Sequence, residues 1–284
     1  MLEIRTMRHS DIPFAIKLCD QERWGVTRDD LKRVLRLDLS GSFIAFDGTR
    51  KLGLTTSTSY GKKLAWIGNV VVDRNYRGRA IGRRLVEHTI RYLKRRRVRH
   101  VALYCFEENR LFYERLGFVT ETAFVRLRRN GKRTNFLIAT RSFDQTPRLN
   151  QLLTIDRRAF GADRSKLIRF VTGEKVGFWI VPLNDSEFNS CMMVRKYEDM
   201  CEFGPWSAMK PRRSELREML RKALNEANGR PVEISSLCTN RVVLGLLRDH
   251  GFHVLREGYR MFYGERPHIG DDRVQCALGF LDKG

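Results

Sequence analysis

Two α/β domains of one plan, joined in tandem, are what this chain's length, its alternation of helical and strand patterns, and an internal repeat predict. At 284 residues the chain is long for a single core, and two domains of about 140 residues are the natural division. Each half runs through two helices, several strands, a turn, an amphipathic helix, a strand and a short helix ending in Gly-Phe. Those pairs, Gly117-Phe118 and Gly251-Phe252, set the halves about 134 residues apart, as two copies of one fold require. The boundary is predicted within Ser142 to Arg148, where Asp144, Thr146 and Pro147 break the pattern, giving domains 1–144 and 145–284.

In the first half, helical spacing covers Ser10 to Leu18 and Thr27 to Leu37. Ser10 stands before Asp11, and Thr27 has Asp30 three places on, as N-caps require. Strands are predicted over Ser42 to Phe46, Lys51 to Tyr60 and Leu64 to Val72, divided by Asp47-Gly48 and by Gly61 with Lys62 and Lys63. The next helix carries Ile81, Leu85, Thr89, Ile90 and Leu93 on one face and Arg83, Arg84, His88, Arg91 and Arg95 on the other. A strand from Val98 to Phe106 and a helix from Asn109 to Leu116, stopped by Gly117, come next. Phe118 to Leu127 and Arg133 to Ile138 read as a closing pair of strands around Arg129-Asn130-Gly131.

The second half is read likewise. Helices are expected near Leu149 to Phe160 and Ser165 to Val171, then strands near Val176 to Pro182 and Ser190 to Tyr197, and a turn at Gly204-Pro205. A helix over Leu216 to Ala227, a strand over Val232 to Ser235, a helix over Arg241 to His250, and strands over His253 to Tyr263 and Val274 to Phe280 complete it.

Composition narrows the classes. No apolar run approaches the roughly 18 residues of a membrane span, and Glu3, Arg5 and Arg8 interrupt the first ten residues, so a cytoplasmic protein without membrane partners is expected. Six cysteines form no CxxC pair and have no histidine at zinc spacing; they read as small buried hydrophobes, and no metal is expected. The formal charge of +21 suits a nucleic-acid or ribosome partner, an acidic substrate or a polyanionic cofactor. A solvated arginine-rich surface is the plainer explanation and is preferred, also for the basic run Arg91 to His100 at a helix end.

The chemistry concentrates in one segment, Val70-Val71-Val72-Asp73-Arg74-Asn75-Tyr76-Arg77-Gly78-Arg79-Ala80-Ile81-Gly82-Arg83-Arg84-Leu85. A buried strand runs into a small-residue loop that opens directly into a helix. Gly78, Ala80 and Gly82 leave the backbone uncovered, so several N–H groups can converge where the helix dipole favours an anion. Arg77, Arg79, Arg83 and Arg84 add charge around a site suited to a pyrophosphate. GxGxxG spacing is absent, and so is the Gly-Lys-Ser/Thr of a P-loop.

These residues resemble the GNAT superfamily of acyl-CoA-dependent N-acyltransferases. Arg77-Gly78-Arg79-Ala80-Ile81-Gly82 matches its signature Gln/Arg-x-x-Gly-x-Gly/Ala, with Ala80 where glycine is usual. Alanine fits there if the position has negative φ. The second signature, an aromatic-Tyr pair followed by Gly-Phe, is matched by Phe112-Tyr113 and Gly117-Phe118, with Phe106 replacing an asparagine often found seven residues before the tyrosine. The resemblance implies, for each domain, a mixed, mostly antiparallel sheet flanked by helices. It also implies a sheet splayed beside Val70 to Val72, where the pantetheine arm of acetyl-CoA lies like an added strand. Backbone at Val70 and Val72 would hold that arm, amides from Gly78 through Arg79, Ala80, Ile81 and Gly82 to Arg83 would hold the pyrophosphate, and Tyr113 would lie near the sulfur.

On that basis a primary amine attacks the thioester directly in a ternary complex. Backbone donors stabilise the developing oxyanion, and Tyr113 serves as general acid to the thiolate. No carboxylate lies on Ala65 to Val72, so the candidate bases are Glu22, Glu107 and Glu108, or water. Cys105 has no activating partner.

In the second half, Asn240 to Phe252 keeps the second signature's spacing with Leu247 in place of the tyrosine. Glu202-Phe203-Gly204-Pro205-Trp206-Ser207-Ala208 stands where the pyrophosphate loop is expected. Pro205 lacks an N–H and Glu202 brings the wrong charge, so this domain reads as degenerate and shapes the amine pocket. Trp24, Ala159 to Arg164, Gly204-Pro205, Arg260-Met261 and Gly264 resemble a two-domain microbial GNAT subgroup. Trp24 and Trp206 are candidate pocket walls, core packing being the alternative. Two other classes stay open: a basic nucleic-acid- or ribosome-associated protein, and an acyl-CoA sensor without catalysis.

Overall fold

The computed structural model describes residues 2–137, 148–173, 177–182, 188–210, 212–265 and 267–284, with backbone alone at 143–144. The chain runs β1 (Leu2–Thr6), α1 (Ile12–Gln21), α2 (Arg28–Leu37), β2 (Phe43–Asp47), β3 (Arg50–Tyr60), β4 (Leu64–Val72), α3 (Ile81–Arg95), β5 (His100–Phe106), α4 (Arg110–Glu114), β6 (Phe118–Arg129) and β7 (Phe143–Asp144). It continues with α5 (Leu149–Phe160), α6 (Ser165–Gly173), β8 (Gly177–Pro182), β9 (Ser190–Lys196), β10 (Cys201–Ala208), α7 (Arg213–Ala227), β11 (Val232–Leu237), α8 (Arg241–Asp249), β12 (His253–Tyr263) and β13 (Gln275–Ala277). Most of the expected linker, together with Ile138 and Val176, lies outside the described residues. No helix among the described residues is long and apolar enough to cross a membrane.

The Thr27 signal acts as its chemistry dictates, whereas Ser10 caps no helix: α1 begins at Ile12 with Asp11 as its N-cap. Thr27 and Asp30 form a reciprocal capping box: the Thr27 hydroxyl accepts from Asp30 N at 3.2 Å, and Asp30 Oδ2 accepts from Thr27 N at 3.0 Å. In α3 the residues Ile81, Leu85, Val86, Thr89, Ile90 and Leu93 are buried, while the arginines face out. Five of the six free cysteines are buried, and Cys238 is exposed.

The strands form one mixed sheet in the order β1-β2-β3-β4-β5-β12-β6-β11-β10-β9-β8-β7, with β13 added against β10. Most pairs are antiparallel; β4–β5 and β10–β11 are parallel. The two halves exchange strands at the centre. From the second half, β12 enters between β5 and β6, pairing Gly258 with Phe106 on one side and with Phe124 on the other. Reciprocally, β6 pairs with β11, from Leu237 opposite Phe124 to Val232 opposite Arg129.

This exchange corrects the expected hairpin. Residues 130–137 form no strand, because the edges of β6 are already taken by β12 and β11. A second correction concerns Gly204-Pro205, which is a cis peptide inside β10 and not a turn. The segment Glu202 to Ala208 is therefore the counterpart of β4, not of the loop that follows it. β1, unassigned from sequence, is an edge strand whose few alternating residues give too short a period to read.

Cores are shared across the halves. Tyr60, Leu64, Trp66 and Ala102 pack in one cluster with Leu152, Ile155, Phe160, Leu167 and Trp179. A Cβ at Gly258 would stand 2.5 Å from both the Cys105 carbonyl oxygen and the Phe124 ring. Gly258→Ala is therefore expected to lower unfolding free energy by about 1–3 kcal/mol. Denaturant titration checks this; unchanged stability would mean that β12 is not wedged between β5 and β6.

Candidate functional site

Parallel strands β4 and β5 pair only from Leu64–His100 to Ile67–Leu103 and then diverge. Beyond that fork β4 carries a bulge: Asn69 has φ +48°, and the β3–β4 register shifts between Leu54 and Thr56. The gap opens into a cavity of about 1000 Å³ lined by Gly68 to Val72 on one wall and Tyr104 to Phe106 on the other. Gly78, Ala80 and Gly82 close one end, and residues of both halves close the other.

The loop at the first end is built to present amides. Gly78 has φ +77°, and a Cβ there would meet nothing within 4 Å. Ala80 is the N-cap of α3 and has no side-chain oxygen to cap it; the first helical hydrogen bond runs from Arg84 N to the Ala80 carbonyl. The amides of Ile81, Gly82 and Arg83 thus precede the intrahelical ladder and lie at the positive end of the dipole. Ala80 is left-handed, with φ +55°, so the condition under which alanine would fit without strain is not met. A methyl is held where glycine would sit without strain.

The arginines of the loop are engaged with protein. Arg77 Nη2 lies 2.6 Å from Glu22 Oε1, and its Nε donates to the Val72 carbonyl at 3.2 Å. Arg79 stacks on Tyr76 with 5.3 Å to the ring centroid, and Arg83 pairs with Glu87 at 2.7 Å. Glu22 also holds Arg74 at 3.1 Å. Burial raises the Glu22 pKa, but the hydrogen bonds and charges of Arg77 and Arg74 outweigh it and lower the value. Committed to two guanidiniums, which do not give up a proton, Glu22 is a tether between the end of α1 and the loop and not a base.

The other bases fare differently. Glu107 is exposed and outside the cavity lining; its pKa is lowered by a hydrogen bond from Tyr259 and by Arg110. It is not brought into the site. Glu108 lines the cavity but is ion-paired to Arg256, whose guanidinium stacks 3.6 Å above the Phe106 ring. Phe106 thereby forms a platform with a residue of the exchanged strand β12.

Tyr113 is buried on α4, edge-on to Phe112 and Phe118, and lines the cavity. Its hydroxyl makes no hydrogen bond to any described residue. Burial, with Cys105 nearby, raises its pKa, so the phenol keeps its proton at neutral pH. The Cys105 thiol is pushed up to about 12, chiefly by burial and then by Glu107, and its Sγ lies 3.4 Å from Met261 Sδ. It is inert packing.

Trp24 is 38 % exposed and lines the cavity. Trp206 does not reach it. As a residue of β10 it is fully buried in the second half's core with Leu216, Met219 and Leu220, which corrects its reading as a pocket wall.

Sequence reasoning missed the cavity's far end. Arg126 from β6 binds Glu202 and Glu233, and Arg195 from β9 binds Glu202 at 2.9 Å. Asn69, Tyr197 and the segment Gly279 to Lys283 complete that wall. No local pattern signals residues so far apart in the chain.

The second half contains the same fork, filled by its own chain. β10 and β11 pair only from Cys201–Val232 to Phe203–Ile234. Beyond that, β13 lies between them: Trp206 pairs with Ala277 and Ser207 with Gln275, while Leu278 N donates to the Ser235 carbonyl and Ser236 Oγ to the Cys276 carbonyl, both at 2.8 Å.

Residues 5–118 match the acetyltransferase (GNAT) family and residues 152–274 an acetyltransferase (GNAT) domain. An uncharacterized N-acetyltransferase, ycf52, of Gracilaria tenuistipitata var. liui is 28% identical over 112 residues, which span 37% of this chain and 60% of that protein. An acetyltransferase structure from Pyrococcus horikoshii superposes with a TM-score of 0.84 at 21% identity, covering 100% of this chain and 96% of that one. A tandem GNAT protein from the clavulanic acid biosynthesis pathway gives 0.70 at 15% identity, covering 92% and 98%. At such identities the superpositions speak for the fold.

The left-handed alanine carries a testable cost. Ala80→Gly is expected to raise unfolding free energy by about 1 kcal/mol, read by urea titration. A loss of stability would show that the loop does not hold residue 80 in this conformation.

Proposed function

Since the chain belongs to the GNAT acetyltransferase family, we propose that its first half transfers an acetyl group from acetyl-CoA to a primary amine. One observation carries this reading: of two equivalent forks in one sheet, only that between β4 and β5 is open, and it alone ends at a loop of free amides. The second half's fork has β13 in the place an added strand would take, and serves as an internal control.

The residues present fit the donor. Amides of Ile81, Gly82 and Arg83 suit the pyrophosphate, and the edges of Val70 and Val72 suit the amide-bearing pantetheine arm. From Val72 to Gly68 an extended strand covers about 13 Å, so an arm laid along it from the loop reaches the fork beside Asn69. The donor supplies an activated acyl group; this chain's task is to orient it, exclude water and handle two protons. Tyr113, protonated at neutral pH, is the donor this reading assigns to the departing thiolate.

The amine approaches from the far end, between Trp24 of the first half and residues of β9, β10 and the C-terminal segment. The second half thus contributes a wall of the acceptor site and no donor cradle of its own.

Acetyl-CoA is expected to raise the melting temperature, and Gly82→Arg, which fills the cradle, to abolish the shift. Tyr113→Phe should keep the shift while slowing CoA release with an amine panel about a hundredfold. Equal turnover would remove Tyr113 from the mechanism. A shift without CoA release from any amine would favour a sensor over an enzyme.

A further inference from the structure

We propose that the chain is its own acceptor, transferring an acyl group to Lys283 Nζ within its own cavity. The inference rests on the acyl-CoA-dependent reading above and adds a substrate to it.

The observations begin where β13 ends. After sealing the second half's fork, the chain crosses to the first half, and Gly279 to Lys283 line the open cavity. This segment is firmly seated. A Cβ at Gly68 would fall 2.2 Å from the Asp282 carbonyl oxygen, so the backbones of β4 and the segment touch where β4 leaves β5. Tyr60 Oη donates to the Lys283 carbonyl, and Arg164 to that of Gly284.

Lys283 is only 2% exposed. Its ammonium lies 2.5 Å from Asp282 Oδ2, which also accepts from Asn69 Nδ2 at 3.1 Å. Asn69 is the bulge residue directly before Val70, and Thr56 Oγ1 steadies its side chain at 3.1 Å. The ammonium is thus two hydrogen bonds from the bulge at the fork, where the thioester end of the donor is expected. A second carboxylate faces it: burial raises the Asp30 pKa, but the Lys283 charge and the Thr27 hydrogen bonds bring it to about 2.

A buried lysine side chain in the acceptor end of an amine acetyltransferase meets each demand on a substrate. It is a primary amine, its proton has a carboxylate to go to, and attachment to the chain gives it a high effective concentration. In the step, Asp282 takes one proton from the ammonium and passes it to water. The Nζ lone pair attacks the thioester carbonyl carbon, an N–C bond forms, and the C–S bond breaks with its electron pair on sulfur. The second N–H proton ends on that sulfur, leaving Nε-acyl-Lys283 and free CoA.

The test is mass spectrometry of the full chain incubated with acetyl-CoA bearing a deuterated acetyl group. Lys283 should carry acetyl, light from expression or heavy from the assay, at a rate independent of protein concentration. Gly82→Arg should lack it. Lys283→Arg, which keeps the charge beside Asp282, should leave no equivalent site. Asp282→Asn should slow modification about a hundredfold while keeping the acetyl-CoA thermal shift. CoA release with external amines while Lys283 stays unmodified would overturn this inference and leave the proposed function standing. Acetyl groups spread equally over exposed lysines in the wild type and Gly82→Arg would also overturn it. Absence of both thermal shift and CoA release would overturn the function beneath it.

Discussion

Backbone pairing of β6 with β12 is the constraint on which the molecule depends. Each strand satisfies its other edge against the opposite half, β12 on β5 and β6 on β11, so neither half has a complete sheet without the other. An unpaired central strand would leave rows of N–H and C=O groups without partners, at a cost no local propensity could offset. The shared cluster around Trp66, Phe160 and Trp179 adds apolar burial to the same joint. Two family matches along the chain therefore share one sheet in space.

That joint gives the site its asymmetry. Both halves have a parallel pair that forks, since a short pairing followed by divergence recurs at β4–β5 and at β10–β11. In the second, β13 satisfies the exposed edges; in the first they face a cavity. The sheet thus holds two slots, and the segment that closes one supplies residues to the other.

Charge is distributed less simply than a total of +21 suggests. At the far end of the cavity arginines are matched by carboxylates: Arg126 and Arg195 on Glu202, Arg126 and Arg128 on Glu233. Buried ions need such partners, and the network fixes the walls more than it attracts ligands. Arg95, Arg97 and Arg99, by contrast, are exposed at or just beyond the end of α3, where the helix dipole favours cations.

Residue order alone sets what depends on neighbours along the chain. The box of Thr27 and Asp30, the apolar face of α3 and the small-residue loop before it are set by spacing along the chain. It could not determine what depends on partners across the sheet. That Arg133 and its neighbours form no strand, that Gly204-Pro205 lies within one, that Trp206 is core, and that Asn69 and Asp282 meet at the fork all follow from the exchange of β6 and β12 and the path of β13. Hydrogen bonds between strands carry no imprint in local periodicity, so residues more than two hundred positions apart could be brought together only by the tertiary structure.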